Sequence, residues 1–152
     1  MSTTTERFVA INGVRLRVTE AGERGAPVIV LAHGFPELAY SWRHQIPVLA
    51  GAGYHVLAPD QRGYGGSSRP AAVEDYDIHA LTADLVGLLD DIGVEHATYI
   101  GHDWGAMVVW HTALLHPDRV RGPPLEMSQT DGGAPEITLR GEARASRTLH
   151  DG

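Results

Sequence analysis

Gly101-His102-Asp103-Trp104-Gly105 stands between two apolar segments of the chain. The pattern before it, residues 97–100, predicts a short buried strand, and residues 106–115 predict a helix that Pro117 stops. Small residues two positions before and two after a central residue permit the tight strand-to-helix turn called a nucleophile elbow. The pattern therefore predicts that Asp103 is raised above a sheet. A simpler interpretation is that Asp103 only caps the following helix, because aspartate is a preferred N-cap residue.

A second turn, His33-Gly34-Phe35-Pro36, follows the apolar, β-branched run 27–32, which is typical of a strand buried on both faces. Taken alone, it would be an ordinary strand-to-helix connection. The carboxyl ends of parallel strands meet at one edge of a sheet, where ligands bind, so we expect the two turns to be neighbours. The backbone N–H groups of Phe35 and Trp104 are then candidate oxyanion-hole donors beside Asp103.

The rest of the pattern to residue 122 alternates strands with helices. Asn12-Gly13 separates two extended runs and predicts an N-terminal β-hairpin. Residues 55–58 predict another buried strand, after a helix that runs from Ser41 as N-cap through Leu49. A longer helix is predicted over residues 78–92, capped by Asp77 and stopped by Gly93. Strands alternating with helices predict an α/β protein with a mostly parallel sheet and right-handed crossovers.

Composition excludes several classes of function. The 152 residues include 12 basic and 19 acidic side chains, and the resulting formal charge of −7 has the wrong sign for a nucleic-acid partner. No apolar run approaches the ~20 residues of a membrane helix, and we expect no membrane partner. The absence of cysteine excludes a disulfide framework and fits a reducing compartment, so a cytoplasmic location is the expectation.

The composition changes after Gly122. Residues 123–152 contain no aromatic side chain and few large aliphatic ones, with Pro, Gly, Ser, Thr and charged residues scattered among them. Such a segment buries too little apolar surface to order itself. We therefore divide the chain into a core at 1–122 and a divergent, disordered tail at 123–152, with residues 120–122 resembling the start of a further strand.

Four motifs carry a resemblance to a known family: residues 33–37 (HGFPE), 42–45 (WRHQ), 60–68 (DQRGYGGSS) and 101–106 (GHDWGA). In order and spacing they resemble the soluble epoxide hydrolases of the α/β-hydrolase superfamily, over roughly residues 8–122. Haloalkane and haloacid dehalogenases share the aspartate nucleophile. Phe35 followed by Glu37 is more similar to the epoxide hydrolases, although Trp104 would also suit a halide site.

The resemblance implies a reaction. Asp103, with a reference pKa near ~3.9, is ionised at neutral pH and would attack an epoxide carbon to form an alkyl ester. Tyrosines of a cap domain would protonate the leaving oxygen. A histidine–acid pair would then activate water against the ester, with the N–H groups of Phe35 and Trp104 stabilising the intermediate. The product is a vicinal diol, the substrate is a small-molecule epoxide, and no cofactor is implied.

Other residues are expected to support the site or to lie outside it. The resemblance gives His33 a structural role in holding the oxyanion loop, and Gly34, Pro36, Gly101 and Gly105 shape the two turns. His102 is expected to pack and to point away from the nucleophile. His111 and His116 are five residues apart, which is not a spacing that places two metal ligands on one helix face, so no metal site is predicted. The loop 60–68 is expected to be architectural and does not match a P-loop.

Some parts of the family pattern are missing. The catalytic histidine, its acid partner and the cap tyrosines would all lie downstream of this sequence, and His150 is not expected to serve as the base. We therefore expect a truncated α/β-hydrolase fold, without its cap and C-terminal half, that cannot complete turnover. The elbow strand would then be a sheet edge with exposed apolar surface, giving a poorly soluble chain. The alternatives are a dehalogenase fragment and a non-catalytic interaction module that uses this edge; the oligomeric state stays open.

Overall fold

The computed structural model describes residues 3–128, 136–139 and 148–149. These form one mixed sheet with the strand order β1-β2-β4-β3-β5-β6-β7-β8. The strands are β1 (Thr5–Ile11), β2 (Val14–Ala21), β3 (Val28–Ala32), β4 (His55–Pro59), β5 (Thr98–Gly101), β6 (Leu125–Ser128), β7 (Glu136–Leu139) and β8 (Thr148–Leu149). The α-helices are α1 (Gln45–Gly51), α2 (Ile78–Ile92) and α3 (Trp104–Leu115), and short 3₁₀ turns lie at Ala39–Trp42, Val73–Tyr76 and Pro117–Arg119.

The centre of the sheet is parallel, as predicted. β3 pairs in parallel with β4 and with β5, and β5 pairs in parallel with β6. All five residues of β3 are buried, which explains why its sequence shows no polar alternation. Antiparallel pairs extend the sheet on both sides of this centre, by β1 and β2 at one end and by β7 and β8 at the other.

The predicted N-terminal hairpin is confirmed. Asn12 and Gly13 connect β1 to β2, and both have positive φ angles, of 51° and 74°. These angles suit a two-residue turn that matches the twist of the flanking strands, and asparagine and glycine tolerate them best. Ile11 consequently pairs with Val14 directly across the turn.

Helices cover both faces of the sheet. One face packs α2 and α3 against the strands around a cluster that includes Leu16, Leu57, Leu85, Leu89 and Tyr99. The other face packs α1 and the first 3₁₀ turn around a cluster that includes Leu31, Trp42, Ile46, Ile100 and Met127. This layered arrangement holds the carboxyl ends of β3, β4 and β5 together at one edge.

The helix predicted over residues 78–92 is confirmed at both ends. The Asp77 carboxylate accepts a hydrogen bond from the Ala80 N–H at 2.8 Å, and Gly93 ends the helix in the left-handed region with φ 71°.

The preceding prediction, a helix capped by Ser41 and running through Leu49, is wrong in its first half. Ser41 lies inside a 3₁₀ turn, and α1 begins only at Gln45. The turn is fixed by a tertiary contact, since the Ala39 N–H donates to the Asp60 carboxylate at 2.9 Å. Pro47 falls in the first turn of α1, where a missing N–H costs no helical hydrogen bond.

The strand that leads into the elbow is not a sheet edge, so that expectation is wrong. β6 pairs alongside β5, with Ile100 opposite Leu125, and Leu125 and Met127 are buried. The predicted disorder beyond residue 122 therefore does not hold for residues 125–128, 136–139 and 148–149, which are strands. The other residues from 129 onward lie outside the described part, and the domain boundary at residue 122 stays a prediction. None of the described helices is long and apolar enough to cross a bilayer.

Candidate active site

Asp103 lies on a strained turn between β5 and α3, as the elbow pattern predicts. Its φ of 54° and ψ of −121° are unusual for a residue other than glycine. Such backbone strain persists only where the surrounding structure enforces it, and it is concentrated at functional sites. Although Asp103 occupies the N-cap position of α3, its side chain makes no capping hydrogen bond. The capping interpretation therefore does not account for this residue.

Three glycines permit the close backbone packing of the elbow and of the 33–36 turn beside it. A Cβ atom at Gly105 would lie 2.1 Å from the carbonyl oxygen of Ala32, and one at Gly101 would lie 2.4 Å from the carbonyl oxygen of Gly105. A Cβ atom at Gly34 would lie 2.6 Å from the Cβ of Asp103. Glycine at 101 therefore lets the elbow close on itself, whereas glycine at 105 and at 34 lets the elbow approach β3 and the 33–36 turn.

Of the two backbone donors predicted from the sequence, Phe35 makes a direct hydrogen bond to the Asp103 carboxylate. The Phe35 N–H donates to Asp103 Oδ2 at 3.1 Å, although the two residues are 68 positions apart. Hydrogen bonds from the N–H groups of Trp104 and Phe35 lower the pKa of Asp103 below its ordinary value. Hydrogen bonds to a carboxylate favour its charged form, so the side chain is ionised throughout the neutral range.

His33 supports the loop that carries Phe35. Its ring is fully buried, and Nε2 accepts the backbone N–H of Gln61 at 2.9 Å. Nδ1 must then carry the proton, which it donates to the Gly34 carbonyl at 2.9 Å. The Gln61 side chain donates in turn to the His33 carbonyl at 2.7 Å, and burial lowers the pKa of His33. The neutral ring thus joins β3 to β4, and the Phe35–Pro36 peptide that follows is cis.

His102 and His111 have contact partners different from those of His33. His102 Nδ1 lies 3.5 Å from a Glu37 carboxylate oxygen, and His111 Nδ1 contacts the Met107 carbonyl at 2.8 Å within its own helix. No group of three or more potential metal ligands is found among the residues described. His150 lies outside them.

The loop at 60–68 uses its polar groups to hold itself in place, which agrees with the architectural role expected for it. Asp60 accepts the N–H groups of Ala39 and Gly66 at 2.9 and 3.1 Å. Arg62 makes two 2.8 Å hydrogen bonds to the buried Asp84 of α2. Such paired contacts fix the loop relative to both neighbouring layers.

A cavity of about 490 Å³ opens beside the Asp103 carboxylate. It is bounded by the predicted turns, by the 60–68 loop and by the start of α2, and its lining is Phe35, Gln61, Tyr64, Tyr76, Leu81, Asp103 and Trp104. Phe35 and Trp104 leave 66% and 49% of their surface exposed. A mostly apolar cavity with a few polar groups is the usual form of a small-molecule site.

Sequence reasoning missed Gln61, Tyr64 and Tyr76 as part of this site. Tyr64 lies edge-on to His33, with ring centroids 5.0 Å apart, and edge-on to Phe35 at 6.4 Å. One signal was available, because Gln61 and Tyr64 follow a parallel strand next to β3 and so belong to the same sheet edge. The position of Tyr76 depends on the folded 3₁₀ turn and has no comparable signal.

Comparison with known proteins shows similarity to one family model and to individual members of that fold family. Residues 27–128 match the family model described as the alpha/beta hydrolase fold. Epoxide hydrolase A of Mycobacterium tuberculosis is 78% identical over 120 residues, which cover 79% of this chain and 37% of that protein. Bifunctional epoxide hydrolase 2 of Sus scrofa is 50% identical over 109 residues, covering 72% of this chain and 19% of that protein.

Solved structures of epoxide hydrolases are also similar to this chain. The crystal structure of Epoxide Hydrolase A from Mycobacterium thermoresistibile superimposes with a TM-score of 0.77 at 75% identity, covering 78% of this chain and 37% of that one. The structure of an epoxide hydrolase from Vigna radiata gives a TM-score of 0.75 at 44% identity, with coverage of 78% and 38%. The chain thus spans well under half the length of these relatives.

Proposed function

Because this chain belongs to the α/β hydrolase fold family, we propose that it carries out the alkylation step of an epoxide hydrolase, with Asp103 as the nucleophile. The observation that carries this proposal is the state of the Asp103 carboxylate. It is exposed at the cavity, its pKa is lowered, and the Phe35 N–H of the neighbouring turn binds it. The similarity to epoxide hydrolases supplies the substrate class, a small-molecule epoxide.

In the first step Asp103 would act through the carboxylate oxygen that Phe35 does not bind. Its Oδ1 attacks an epoxide carbon, the carbon–oxygen bond of the ring breaks, and an alkyl ester forms on Asp103. Oδ2 becomes the carbonyl oxygen of that ester. A carboxylate needs no base to remove a proton before it attacks, which is why an aspartate with a low pKa suits this role.

In the second step water would attack the ester carbon and place negative charge on Oδ2. The Phe35 N–H already lies 3.1 Å from this atom, within the range of an oxyanion donor. Water also needs a general base. Both ring nitrogens of His33 are engaged, and His102 faces Glu37, so neither is placed for that task. We therefore propose that the chain alone forms the ester and does not hydrolyse it at a useful rate.

The test is to treat the 152-residue chain with styrene oxide and follow its intact mass. The expected result is a gain of one epoxide mass that peptide mapping places on Asp103, without continuing formation of diol. Asp103→Asn is the matched control, since it keeps the shape of the side chain and removes its charge, and it should gain no mass at that position. An adduct distributed over other carboxylates would contradict the assignment of Asp103, and steady diol formation would contradict the single-step limit.

A further inference from the structure

Gln61 lines the cavity beside Asp103 and binds His33 at two points. Its backbone N–H donates to His33 Nε2 at 2.9 Å, and its side-chain N–H donates to the His33 carbonyl at 2.7 Å. Both residues are buried. The backbone hydrogen bond depends on the path of the chain alone, so only the second contact depends on the residue type at position 61.

The His33 carbonyl oxygen has little free space around it. A Cβ atom at Gly105 would lie 2.6 Å from it, so the oxygen lies against the backbone of the elbow. The side-chain N–H of Gln61 satisfies this buried acceptor. Loss of that donor would leave the carbonyl unsatisfied, which is unfavourable in a buried place and favours a shift of the 33–36 turn.

A shift of this turn would reach the nucleophile directly. A Cβ atom at Gly34 would lie 2.6 Å from the Cβ of Asp103, and the Phe35 N–H donates to Asp103 Oδ2 at 3.1 Å. That distance is near the long end of the usual range for an N–H···O hydrogen bond, so a small displacement weakens the contact. Phe35 is only two residues after His33, and the position of its N–H therefore depends on how His33 is held.

We propose that the Gln61 side chain is a positioning residue, which holds the Phe35 N–H against Asp103 Oδ2 by fixing the His33 carbonyl. This inference rests on the proposed function, in which Oδ1 attacks the epoxide while Oδ2 stays bound to Phe35. With Oδ2 held, the carboxylate presents Oδ1 in one orientation. Orientation matters to the rate, because a displacement of ~1 Å can slow a reaction about 100-fold.

The first experiment measures the contact itself on the full chain. NMR follows the Phe35 amide proton, whose resonance shifts when Asp103→Asn removes the charge from its acceptor. The same shift is measured in the presence of Gln61→Met, which keeps the length of the side chain and removes its N–H. Gln45→Met is the matched control, since Gln45 begins α1 and its side-chain oxygen has no hydrogen-bond partner among the residues described. Circular dichroism compares the folds.

We expect Gln61→Met to reduce the Asp103-dependent shift of the Phe35 amide to about half or less, because hydrogen bonds weaken steeply as their geometry departs from the optimum. Gln45→Met should leave this shift as it is in wild type. A full shift in Gln61→Met would overturn the proposal, as would an equal reduction in both variants.

The second experiment measures alkylation of Asp103 by styrene oxide at several concentrations, using intact mass. Loss of a residue that only orients the nucleophile lowers the limiting rate and leaves the half-saturating concentration unchanged. For Gln61→Met we expect a limiting rate about tenfold lower, with a half-saturating concentration within about twofold of wild type. Gln45→Met should match wild type in both.

The opposite pattern, a raised half-saturating concentration with an unchanged limiting rate, would overturn the proposal, because Gln61 would then act by binding the substrate. If wild type is not alkylated at all, the proposed function fails. The Phe35 amide shift still decides, independently of that result, whether Gln61 positions the donor.

Discussion

Among the single residues of the two turns at the site, Gly105 is under the most severe steric constraint. Replacing it with alanine would place a Cβ atom 2.1 Å from the backbone oxygen of Ala32. Neither backbone can yield without separating α3 from β3, so Gly105→Ala should lower the free energy of unfolding by about 3 kcal/mol or more. Urea denaturation measures this effect, and alkylation of Asp103 should be lost with it.

Gly51 provides the control for this substitution. It ends α1, and a Cβ atom there would meet nothing within 4 Å. Gly51→Ala should therefore be neutral, or stabilising by up to about 1 kcal/mol through the lower entropy of the unfolded chain. Similar urea midpoints for the two variants would mean that the close approach of the elbow to β3 is wrong.

At the scale of helices and strands, the cap of α2 can be tested in isolation. The Asp77 carboxylate accepts the Ala80 N–H at 2.8 Å, so Asp77→Ala leaves that donor without its partner. The expected cost is about 1 kcal/mol in the free energy of unfolding. Asp77→Ser is the matched control, since serine caps about as well as aspartate, and it should recover most of the loss. A serine variant as unstable as the alanine variant would show that the cap is not what Asp77 contributes.

Helices α2 and α1 show which helix ends can be predicted from a sequence and which cannot. The ends of α2 follow from local chemistry, an acidic cap at Asp77 and a glycine at 93 that takes up a positive φ. The start of α1 was misplaced because the backbone before it is bound by Asp60, which lies 21 residues further along than Ala39. A signal from so distant a residue is absent from the local pattern of caps and apolar positions.

At the scale of the whole molecule, some residues that line the cavity follow from local sequence motifs, and others depend on contacts between distant segments. That Asp103, Phe35 and Trp104 lie together at the cavity could be predicted because each belongs to a compact motif at the end of a strand. Tyr76 was missed because only the folded 3₁₀ turn brings it to the cavity, whereas the position of Tyr64 after β4 was a signal that the sequence analysis did not use. β6 was missed for a related reason, since composition alone does not reveal that Leu125 and Met127 become buried beside β5.

The stability of the whole fold should depend on pH through a buried ionic cluster far from Asp103 in the sequence. Glu20, on β2, leaves only 7% of its surface exposed and contacts His55 at 2.6 Å and Arg7 at 2.9 Å. Burial opposes its ionisation, but the hydrogen bonds from His55 and Arg7 outweigh that effect and lower its pKa. The pKa of this carboxylate is lower in the folded chain than in the unfolded chain, where it is about 4.3. Its charge therefore stabilises the fold at pH values above about 4.3, and this stabilisation is lost as the pH falls towards the pKa of the folded state.

Glu20→Gln tests this dependence, because it keeps the side-chain shape and cannot be charged. Its free energy of unfolding should lie below that of wild type at pH 7, and the gap should narrow below about pH 4.3, as wild type loses the stabilisation that the variant never had. Urea denaturation between pH 3 and 7 measures both. Glu95→Gln supplies the baseline, since Glu95 is exposed and its carboxylate forms no ion pair within the described residues. A gap between Glu20→Gln and wild type that is constant across this range would show that the charge of Glu20 does not stabilise the fold.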